Sequence, residues 1–287
     1  MTSADKANSL VILPTQQYHT KIQNFIDKNN FQTSTTNPTK TFQNQIRKTI
    51  NSSTKLINPD SRWKFINLNP SAPTIRGLVK LHKLDQPIRP IVNWRNAPAY
   101  NLSKLLALKI KQLTPLPYIF NIRNTTELIQ EMKQTPITPT SMFASLDITN
   151  MYSNIPIRET KQILENIWIH NPIDPQIKTE ILNWYEVITK QNYFLNNNKI
   201  IIQKDGLAMG APSSSIISEI FLQNTEHTHL PDLARKHKLA NYFRFVDDIL
   251  IIFDSQHTNI NAILSDFNSI HPKLQFTKET ELNNTIN

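Results

Sequence analysis

Hydrophobic residues recur along much of the chain every three to four positions, which is the period of an amphipathic helix. This pattern predicts helices over four segments: Tyr18–Asn29, Asn101–Gln112, Arg158–Trp168 and Gln176–Lys190. Asp174 and Pro175 give the last of them an N-cap and a proline at the first helical position. The polar segment Gln32–Lys40 is expected to form a loop, and Pro212 is expected to start a further helix.

Shorter runs rich in β-branched and aromatic residues predict strands and hairpins. They lie at Ser141–Ile148, at Gln86–Val92, in the two arms of Asn192–Gln203, and at Tyr242–Val246 with Ile249–Phe253. Prolines in the second run place it at a sheet edge or in a hairpin, because proline cannot donate a hydrogen bond to a central ladder. Helices mixed with hairpins in this way predict an α+β fold.

Composition narrows the classes of protein that fit this chain. Its 287 residues include 31 Lys and Arg against 22 Asp and Glu, and the net charge of +9 favours a polyanionic partner. The absence of cysteine excludes disulfide scaffolds, thiol chemistry and Cys-ligated zinc. No apolar run approaches the ~18 residues of a membrane span, and the patch Leu10–Leu13 does not resemble a secretion signal. We therefore expect neither membrane insertion nor secretion.

Glycine is unusually rare in this sequence. Average usage of ~7% would give about twenty glycines, whereas the chain has three: Gly77, Gly206 and Gly210. Such a sequence is expected to keep glycine where no side chain fits, at positive φ or at close backbone approach. These positions are therefore candidate sites, with Gly77 expected at a turn. Chance survival of three glycines is the alternative.

Three aspartates lie at the ends of predicted strands. Asp147 ends one apolar strand, and Asp247 and Asp248 lie between the arms of a hairpin, with no cation paired with them in either run. Carboxylates on adjacent strand ends repel each other unless a cation lies between them. Two divalent ions ~3.5–4 Å apart meet that need and support phosphoryl transfer, and oxygen ligands favour Mg²⁺ or Mn²⁺. Taken alone, an Asp-Asp pair is also ordinary turn chemistry, and Asp147 would serve as a helix cap.

Four motifs, in a fixed order, resemble those of reverse transcriptases. The segment Ser145–Pro156 (SLDITNMYSNIP) resembles DVTSLYTNIP, and Gly206–Pro212 (GLAMGAP) resembles GxAMGSP. Phe243–Asp248 (FRFVDD) resembles RYVDD, and Gly77–Lys83 (GLVKLHK) with Arg89–Val92 (RPIV) resembles GLPKIHK…RPIVS. Within that superfamily the sequence is most similar to the polymerases of Penelope-like retroelements, a group related to telomerase. Weaker likeness covers nearly the whole chain.

The resemblance implies a role for each matching residue. Asp147, Asp247 and Asp248 would be the catalytic carboxylates and would bind two Mg²⁺ or Mn²⁺ ions. The residues implied in nucleotide binding are Lys80, Lys83, Arg89, Tyr152 and Gly210, and those implied in template or primer binding are Gly206, Met209, Pro212 and Phe245. Tyr152 stands where the family places an aromatic ring that excludes a 2′-hydroxyl. Tyr152 could instead be an ordinary aromatic residue of the core. Lys80, Lys83 and Arg89 could instead belong to a basic strand that faces solvent.

The resemblance also implies a right-hand polymerase fold with an antiparallel palm sheet, helices and a fingers subdomain. The corresponding division is an N-terminal extension at 1–60, fingers at 61–140, a palm at 141–256 with a fingers insertion at about 157–204, and a partial motif D region at 257–287. On this interpretation the chain ends before the thumb, which would be missing or truncated. Nothing resembles the nuclease domain that commonly follows, so DNA cleavage is not predicted.

The implied function is that of an RNA-directed DNA polymerase core of a retrotransposable element. It would join dNTPs to a DNA primer on an RNA template, in the nucleus. Three departures from the family motifs keep another hypothesis open: Val79 replaces a proline, Ala211 a serine and Phe245 a tyrosine. Such changes also occur in a truncated remnant that binds nucleic acid without catalysis. A third hypothesis is an RNA-directed RNA polymerase, which shares the palm chemistry.

Overall fold

The protein folds as two units, each assembled from two stretches of the chain. The computed structural model describes residues 1–5, 9–29, 31–81 and 85–280. One unit comprises Met1–Thr114 and Leu164–Ile217, and the other comprises Pro115–Ile163 and Ser218–Asn287. Each unit contains a sheet and helices, so the predicted α+β fold is confirmed.

Helices and strands alternate along the described residues. The helices are α1 (Thr15–Lys28), α2 (Thr39–Ser52), α3 (Tyr100–Leu113), α4 (Thr125–Gln134), α5 (Met151–Asn154), α6 (Ile157–His170), α7 (Pro175–Thr189), α8 (Ser214–His237) and α9 (Ile260–Ser269), with a 3-10 helix at Pro59–Phe65. The strands are β1 (Thr2–Ser3), β2 (Leu10–Val11), β3 (Gln32–Ser34), β4 (Thr74–Val79), β5 (Ile88–Asn93), β6 (Ser141–Ile148), β7 (Tyr193–Asn196), β8 (Lys199–Ile202), β9 (Leu239–Phe245), β10 (Asp248–Asp254) and β11 (Phe276–Thr280).

The first unit is built on a five-stranded sheet with the order β3-β8-β7-β4-β5. Its strands pair antiparallel, except that β4 and β7 meet in parallel at Thr74 and Leu195. Strand β5 lies at the edge, as its prolines predict. Asn197 and Asn198 turn the chain from β7 into β8 with φ values of +45° and +62°, so the predicted hairpin is confirmed with a type I′ turn.

The second unit is built on a four-stranded antiparallel sheet with the order β11-β6-β10-β9. Successive side chains of a strand point to opposite sides of the sheet. On one side Leu146, Ile249 and Arg244 are buried, and the ring of Tyr242 stacks on Phe267 of α9. On the opposite side Phe243 and Ile252 are buried as well, but one end is open to solvent, where Phe245 and Asp248 are exposed.

The predicted amphipathic helices are confirmed, with ends that shift by a few residues. Helix α3 buries Leu102, Leu106 and Ile110 on one stripe. Asp174 caps α7, because its carboxylate accepts hydrogen bonds from two backbone N–H groups of the first turn at 2.8 and 3.1 Å. Among the helices of the described residues, none combines the length and apolarity that a membrane crossing requires.

Two predictions of local structure are wrong. The segment Gln32–Lys40 contains β3 and the start of α2 rather than a continuous loop. Polar residues such as Gln43 and Thr49 occupy buried positions of α2, which hides its helical period in the sequence. Gly77 does not mark a turn but lies inside β4, where an added Cβ would come within 3.0 Å of the Ile88 side chain.

Glu180 of α7 holds the segment that follows α2. Its carboxylate accepts hydrogen bonds from the backbone N–H groups of Thr54, Lys55 and Leu56 at 2.7–3.0 Å. Hydrogen bonds to a charged acceptor contribute more than neutral ones, although partial exposure reduces their worth here.

We expect Glu180→Ala to lower the free energy of unfolding by about 1–2 kcal/mol, because three N–H groups lose a charged acceptor. Urea unfolding of the purified protein measures this. Glu186→Ala is the matched control on the same helix, since the Glu186 side chain is 46% exposed and lies 3.8 Å from exposed Lys190, so its loss should cost less than about 0.5 kcal/mol. Equal losses in the two variants would contradict the prediction.

Candidate active site

The open end of this opposite side of the second unit's sheet carries a row of side chains, one on each strand. Phe245 lies opposite Asp248, Asp248 opposite Asp147, and Asp147 opposite Thr277. Residues paired in this way have Cα atoms roughly 4.5–5.5 Å apart and side chains on the same side of the sheet. Phe245 and Asp248 are exposed and Asp147 is partly exposed, so a ligand can reach the row. The strand register thus places Asp147 beside Asp248.

Asp247 lies next to this row, in the two-residue turn of the β9–β10 hairpin. The turn consists of Val246 and Asp247 rather than of the two aspartates, because Asp248 already pairs as the first residue of β10. Val246 has a φ of +59°, which is strained for a β-branched residue. The Asp247 carbonyl accepts a hydrogen bond from the N–H of Ile148 at 3.2 Å, which fixes Asp247 beside the end of β6.

A buried arginine lies on the other side of the same hairpin. Arg244 is 1% exposed, and its guanidinium contacts Glu219 at 2.6 Å and Glu226 at 2.5 Å, both on α8. Its Nη1 also donates to the carbonyl of Val246 at 3.1 Å, and Asn121 accepts a further hydrogen bond. Arg244 therefore connects α8 to the strained residue that precedes Asp247. Sequence reasoning overlooked this role, because a lone arginine in a β-prone run gives no sign of its burial.

The buried network shifts the pKa values of Glu219 and Tyr242. Burial raises the pKa of Glu219, but hydrogen bonds to Arg244 and the charge of Arg244 lower it by more, so this pKa lies below its ordinary value. Burial and then the charge of Glu226 raise the pKa of Tyr242 well above its ordinary value. Since the unfolded pKa of a glutamate is roughly 4.3, ionised Glu219 stabilises the fold above that pH. This contribution is lost as the pH falls through the lower folded pKa.

The three aspartates fit a divalent metal site by chemistry and by backbone placement. Carboxylate oxygens are the ligands that Mg²⁺ and Mn²⁺ prefer, and Asp147, Asp247 and Asp248 lie at one end of the β6–β10 pair. Among the described residues, no group of three or more His, Asp or Glu side chains is already arranged to hold an ion.

Tyr152 lies just beyond the end of β6. Asn150 turns the chain into α5 with a φ of +49°, a conformation that asparagine tolerates. The Asn154 side chain closes this turn by donating to the Thr149 carbonyl at 3.1 Å. Tyr152 is half-buried on α5, in the same unit as Asp147. Its contact with a sugar remains a prediction.

The glycine loop belongs to the first unit and leads from β8 into α8. Gly206 and Gly210 have φ values of +80° and +88°, the conformation expected of glycines in a chain that otherwise avoids them. The Ser103 hydroxyl of α3 anchors the loop, donating to the Ser213 hydroxyl at 2.8 Å and accepting from the Ser213 N–H at 3.0 Å. Helix α8 begins two residues after Pro212, so the expectation that this proline starts the helix is wrong.

Gly210 lines an open pocket of about 450 Å³. A Cβ at this position would lie 2.1 Å from the carbonyl oxygen of Val92, so the backbone approach excludes any side chain. Arg76 and Arg95 also line the pocket, with Trp94, whose buried indole N–H has no hydrogen-bond partner in the described parts of the chain. The pocket thus offers the cations of Arg76 and Arg95 to an anionic ligand. Neither arginine was predicted from the sequence, where the only signal for Arg76 is the polar alternation of β4.

The cations predicted to bind nucleotide belong to the β4–β5 region of the first unit. Lys80 directly follows β4, and its N–H donates to the Pro87 carbonyl at 2.8 Å. Arg89 lies in β5, where its Nε is 3.3 Å from the carboxylate of Asp5, which is 4% exposed. Lys83 lies outside the described residues. Of the remaining predicted residues, Met209 and Pro212 are partly buried in the glycine loop.

We expect Arg244→Leu to lower the free energy of unfolding by about 3–5 kcal/mol, because Glu219 and Glu226 would be buried without their cation. Arg235→Leu is the matched control, since Arg235 pairs with Asp232 on the exposed surface and should cost no more than about 1 kcal/mol. Urea unfolding curves of the two variants measure the difference. A loss no greater for Arg244→Leu than for Arg235→Leu would show that the network does not stabilise the hairpin.

Comparisons with known proteins bear on the family and the fold of this chain. The family described as "Reverse transcriptase (RNA-dependent DNA polymerase)" matches residues 81–278. The fold is similar to telomerase from Candida albicans in complex with a TWJ fragment of telomeric RNA, with a TM-score of 0.62 and 13% identity over 98% of this chain and 50% of that chain. It is also similar to apo telomerase from Candida tropicalis, with a TM-score of 0.60 and 10% identity over 99% of this chain and 52% of that chain. Among curated proteins, none matches the sequence.

These similarities establish the fold and the family. The chain spans about half the length of the telomerases that it matches, and at such low identity those structures show the fold alone. The predicted right-hand polymerase fold is confirmed. Because the family match covers more than half of the sequence, this chain belongs to the reverse transcriptase (RNA-dependent DNA polymerase) family.

Proposed function

We propose that this chain is the polymerase core of a retroelement reverse transcriptase of the Penelope-like type, acting in the nucleus on an RNA template. The observation that carries the proposal is the register of β6 and β10, which sets Asp147 beside Asp248 and next to Asp247 at the open end of a palm-like sheet. The Penelope-like type, the retroelement and the nucleus rest on the sequence motifs. That one similar telomerase was solved with telomeric RNA supports an RNA partner.

The proposed reaction extends a DNA primer by one nucleotide. The primer 3′-hydroxyl attacks the α-phosphate of a dNTP, a new P–O bond forms, and pyrophosphate leaves. Asp147 and Asp247 would hold two Mg²⁺ or Mn²⁺ ions, with Asp248 completing or orienting the site. When bound, such ions activate the hydroxyl and neutralise the charge on the triphosphate. The hydrogen bonds to the carbonyls of Asp247 and Val246 hold this part of the backbone in place, which would limit how far it must move when the metal ions bind.

Cations of the first unit would neutralise the triphosphate. We assign this role to Lys80, Lys83 and Arg89, since a guanidinium can grip phosphate with two hydrogen bonds. Arg89 lies 3.3 Å from Asp5, and 43% of its side chain is exposed. The arginine is therefore both oriented by a buried carboxylate and reachable by a ligand.

The pocket beside Gly210 would take the template nucleotide. A backbone without a Cβ allows a base to approach closely, and Arg76 and Arg95 supply positive charge for the phosphates. Gly206, Met209 and Pro212 would shape this loop, and Phe245 would contact the primer strand. Tyr152 would pack against the sugar and exclude a 2′-hydroxyl, which distinguishes this proposal from an RNA-directed RNA polymerase.

Primer extension on poly(rA)/oligo(dT) with dTTP and Mn²⁺ or Mg²⁺ tests the catalytic assignment. We expect Asp147→Asn and Asp247→Asn each to reduce incorporation by at least about 100-fold, since each removes a charge that the transition state requires. Asp254→Asn is the matched control, because Asp254 ends the same strand, β10, at its far end opposite Ser141. If the native chain and Asp247→Asn incorporate equally little dTMP, the non-catalytic remnant becomes the better account.

The sugar preference tests the role of Tyr152. We expect Tyr152→Ala to raise incorporation of UTP relative to dTTP by about tenfold or more, because the bulk that excludes the 2′-hydroxyl is gone. Tyr152→Phe keeps the ring and should keep the native ratio. A native preference for UTP would support an RNA-directed RNA polymerase instead. An unchanged ratio in Tyr152→Ala would remove the tyrosine from the sugar site.

A further inference from the structure

The net positive charge of the chain is concentrated in one segment of the first unit. From Ser61 to Leu113, directly after Asp60, the sequence contains ten Lys and Arg and a single acidic residue, Asp85. The net charge of the whole chain is +9, so the remainder is nearly neutral. Clustered charge of this kind is the electrostatic footprint of a nucleic-acid partner.

Two aromatic side chains are interleaved with these cations. Trp63 is 67% exposed, although tryptophan is usually largely buried in folded proteins. The ammonium of Lys64 lies 5.8 Å from the centroid of the Trp63 ring, and that of Lys104 lies 5.5 Å from the centroid of the Tyr100 ring. Each aromatic ring therefore has a cation beside it, the combination that single-stranded nucleic acid requires for stacking and phosphate contact.

The exposed tryptophan sits on an anchored element. The Asn101 side chain of α3 donates to the Lys64 carbonyl at 3.3 Å, which ties the 3-10 helix to the start of α3. Downstream, the Asn67 side chain and the Ser71 N–H both donate to the Asn96 carbonyl at 2.9 Å. Because these bonds fix the backbone that follows Trp63 directly, its exposure belongs to the native fold rather than to a frayed end.

This surface is continuous with the pocket beside Gly210. Tyr100 lines that pocket together with Arg76 and Arg95. Along α3, the rise of 1.5 Å per residue puts Lys104 about 6 Å and Lys111 about 16 Å beyond Tyr100, on the same exposed stripe. A strand leaving the pocket would meet cations at intervals along the helix.

We propose that Trp63, Lys64, Tyr100 and Lys104 form a track that binds single-stranded RNA template outside the pocket. Bases would stack on the two aromatic rings, and the two lysines would contact the phosphates. The partner is inferred from charge complementarity and from the exposed aromatics, and its identity as the template rests on the proposed function. A protein partner would fit the exposed apolar ring but would need a strongly acidic face to match ten cations with one acid.

Binding of a fluorescein-labelled 12-nucleotide single-stranded RNA, followed by anisotropy at several salt concentrations, tests the track. Stacking of one base on an aromatic side chain corresponds to about a 5- to 150-fold change in affinity. We therefore expect Trp63→Ala to weaken RNA binding by at least about fivefold, and Trp63→Phe to retain most of the affinity. Ile169→Ala is the matched control, since Ile169 is 65% exposed in the same unit.

The salt dependence tests the two lysines separately. Removing two phosphate contacts to a single strand should lower the slope of log K against log salt by about 1.4. We expect this decrease in slope for the double variant Lys64→Ala/Lys104→Ala. The double variant Lys28→Ala/Lys48→Ala, which removes exposed lysines of α1 and α2, should show no comparable change. Urea unfolding of each variant checks that the fold is unchanged.

The outcomes separate this proposal from the polymerase proposal. If Trp63→Ala and the lysine pair bind RNA like the native chain, the track is wrong even where primer extension succeeds. If they bind more weakly while the native chain extends no primer, the track stands and the polymerase proposal fails. An equal loss of affinity in Ile169→Ala would show a non-specific effect and would overturn the track.

Discussion

The antiparallel register of β6 and β10 is the constraint on which the candidate site depends. It sets Asp147 directly across from Asp248, and one further hydrogen bond holds the Asp247 carbonyl to the N–H of Ile148. A slip of one residue would carry Asp248 to the other side of the sheet, where the core lies. The buried side of β6, including Leu146, therefore fixes the register, and the register fixes the acids. The packing that stabilises the core of this sheet therefore also sets the geometry of the site.

Arg244 holds the β9–β10 hairpin to α8 on the buried side of the sheet. A guanidinium that is 1% exposed between two glutamates is weak evidence for net stability, because desolvation offsets much of the attraction. What the arrangement does supply is position, since Arg244 also holds the carbonyl of Val246, a residue at positive φ next to Asp247. The strain of that turn is tolerated because α8, through Glu219 and Glu226, over-determines it.

Much of this organisation could be predicted from the sequence, and the failures have physical causes. The strand Ser141–Ile148 was predictable to the residue because apolar Ala144, Leu146 and Ile148 alternate with polar residues, which is the period of a half-buried strand. The rarity of glycine correctly indicated positive φ at Gly206 and Gly210, because a chain that avoids glycine keeps it where other residues would be strained. Helix α2 was not predictable, because Thr39 and Gln43 occupy its buried stripe. Arg244 and the pocket arginines were missed for a similar reason, as partners distant in sequence decide their burial.

The most direct test of the account is to count the metal ions that the aspartates bind. Electron paramagnetic resonance titration of Mn²⁺ is suited to this, in the presence of an RNA–DNA primer–template and a non-hydrolysable dNTP. The account predicts about two tightly bound Mn²⁺ ions per native chain, and a loss of tight binding when Asp147 and Asp247 are both replaced by Asn. Unchanged stoichiometry and affinity in that double variant would contradict the central claim, because the ions would then be held elsewhere.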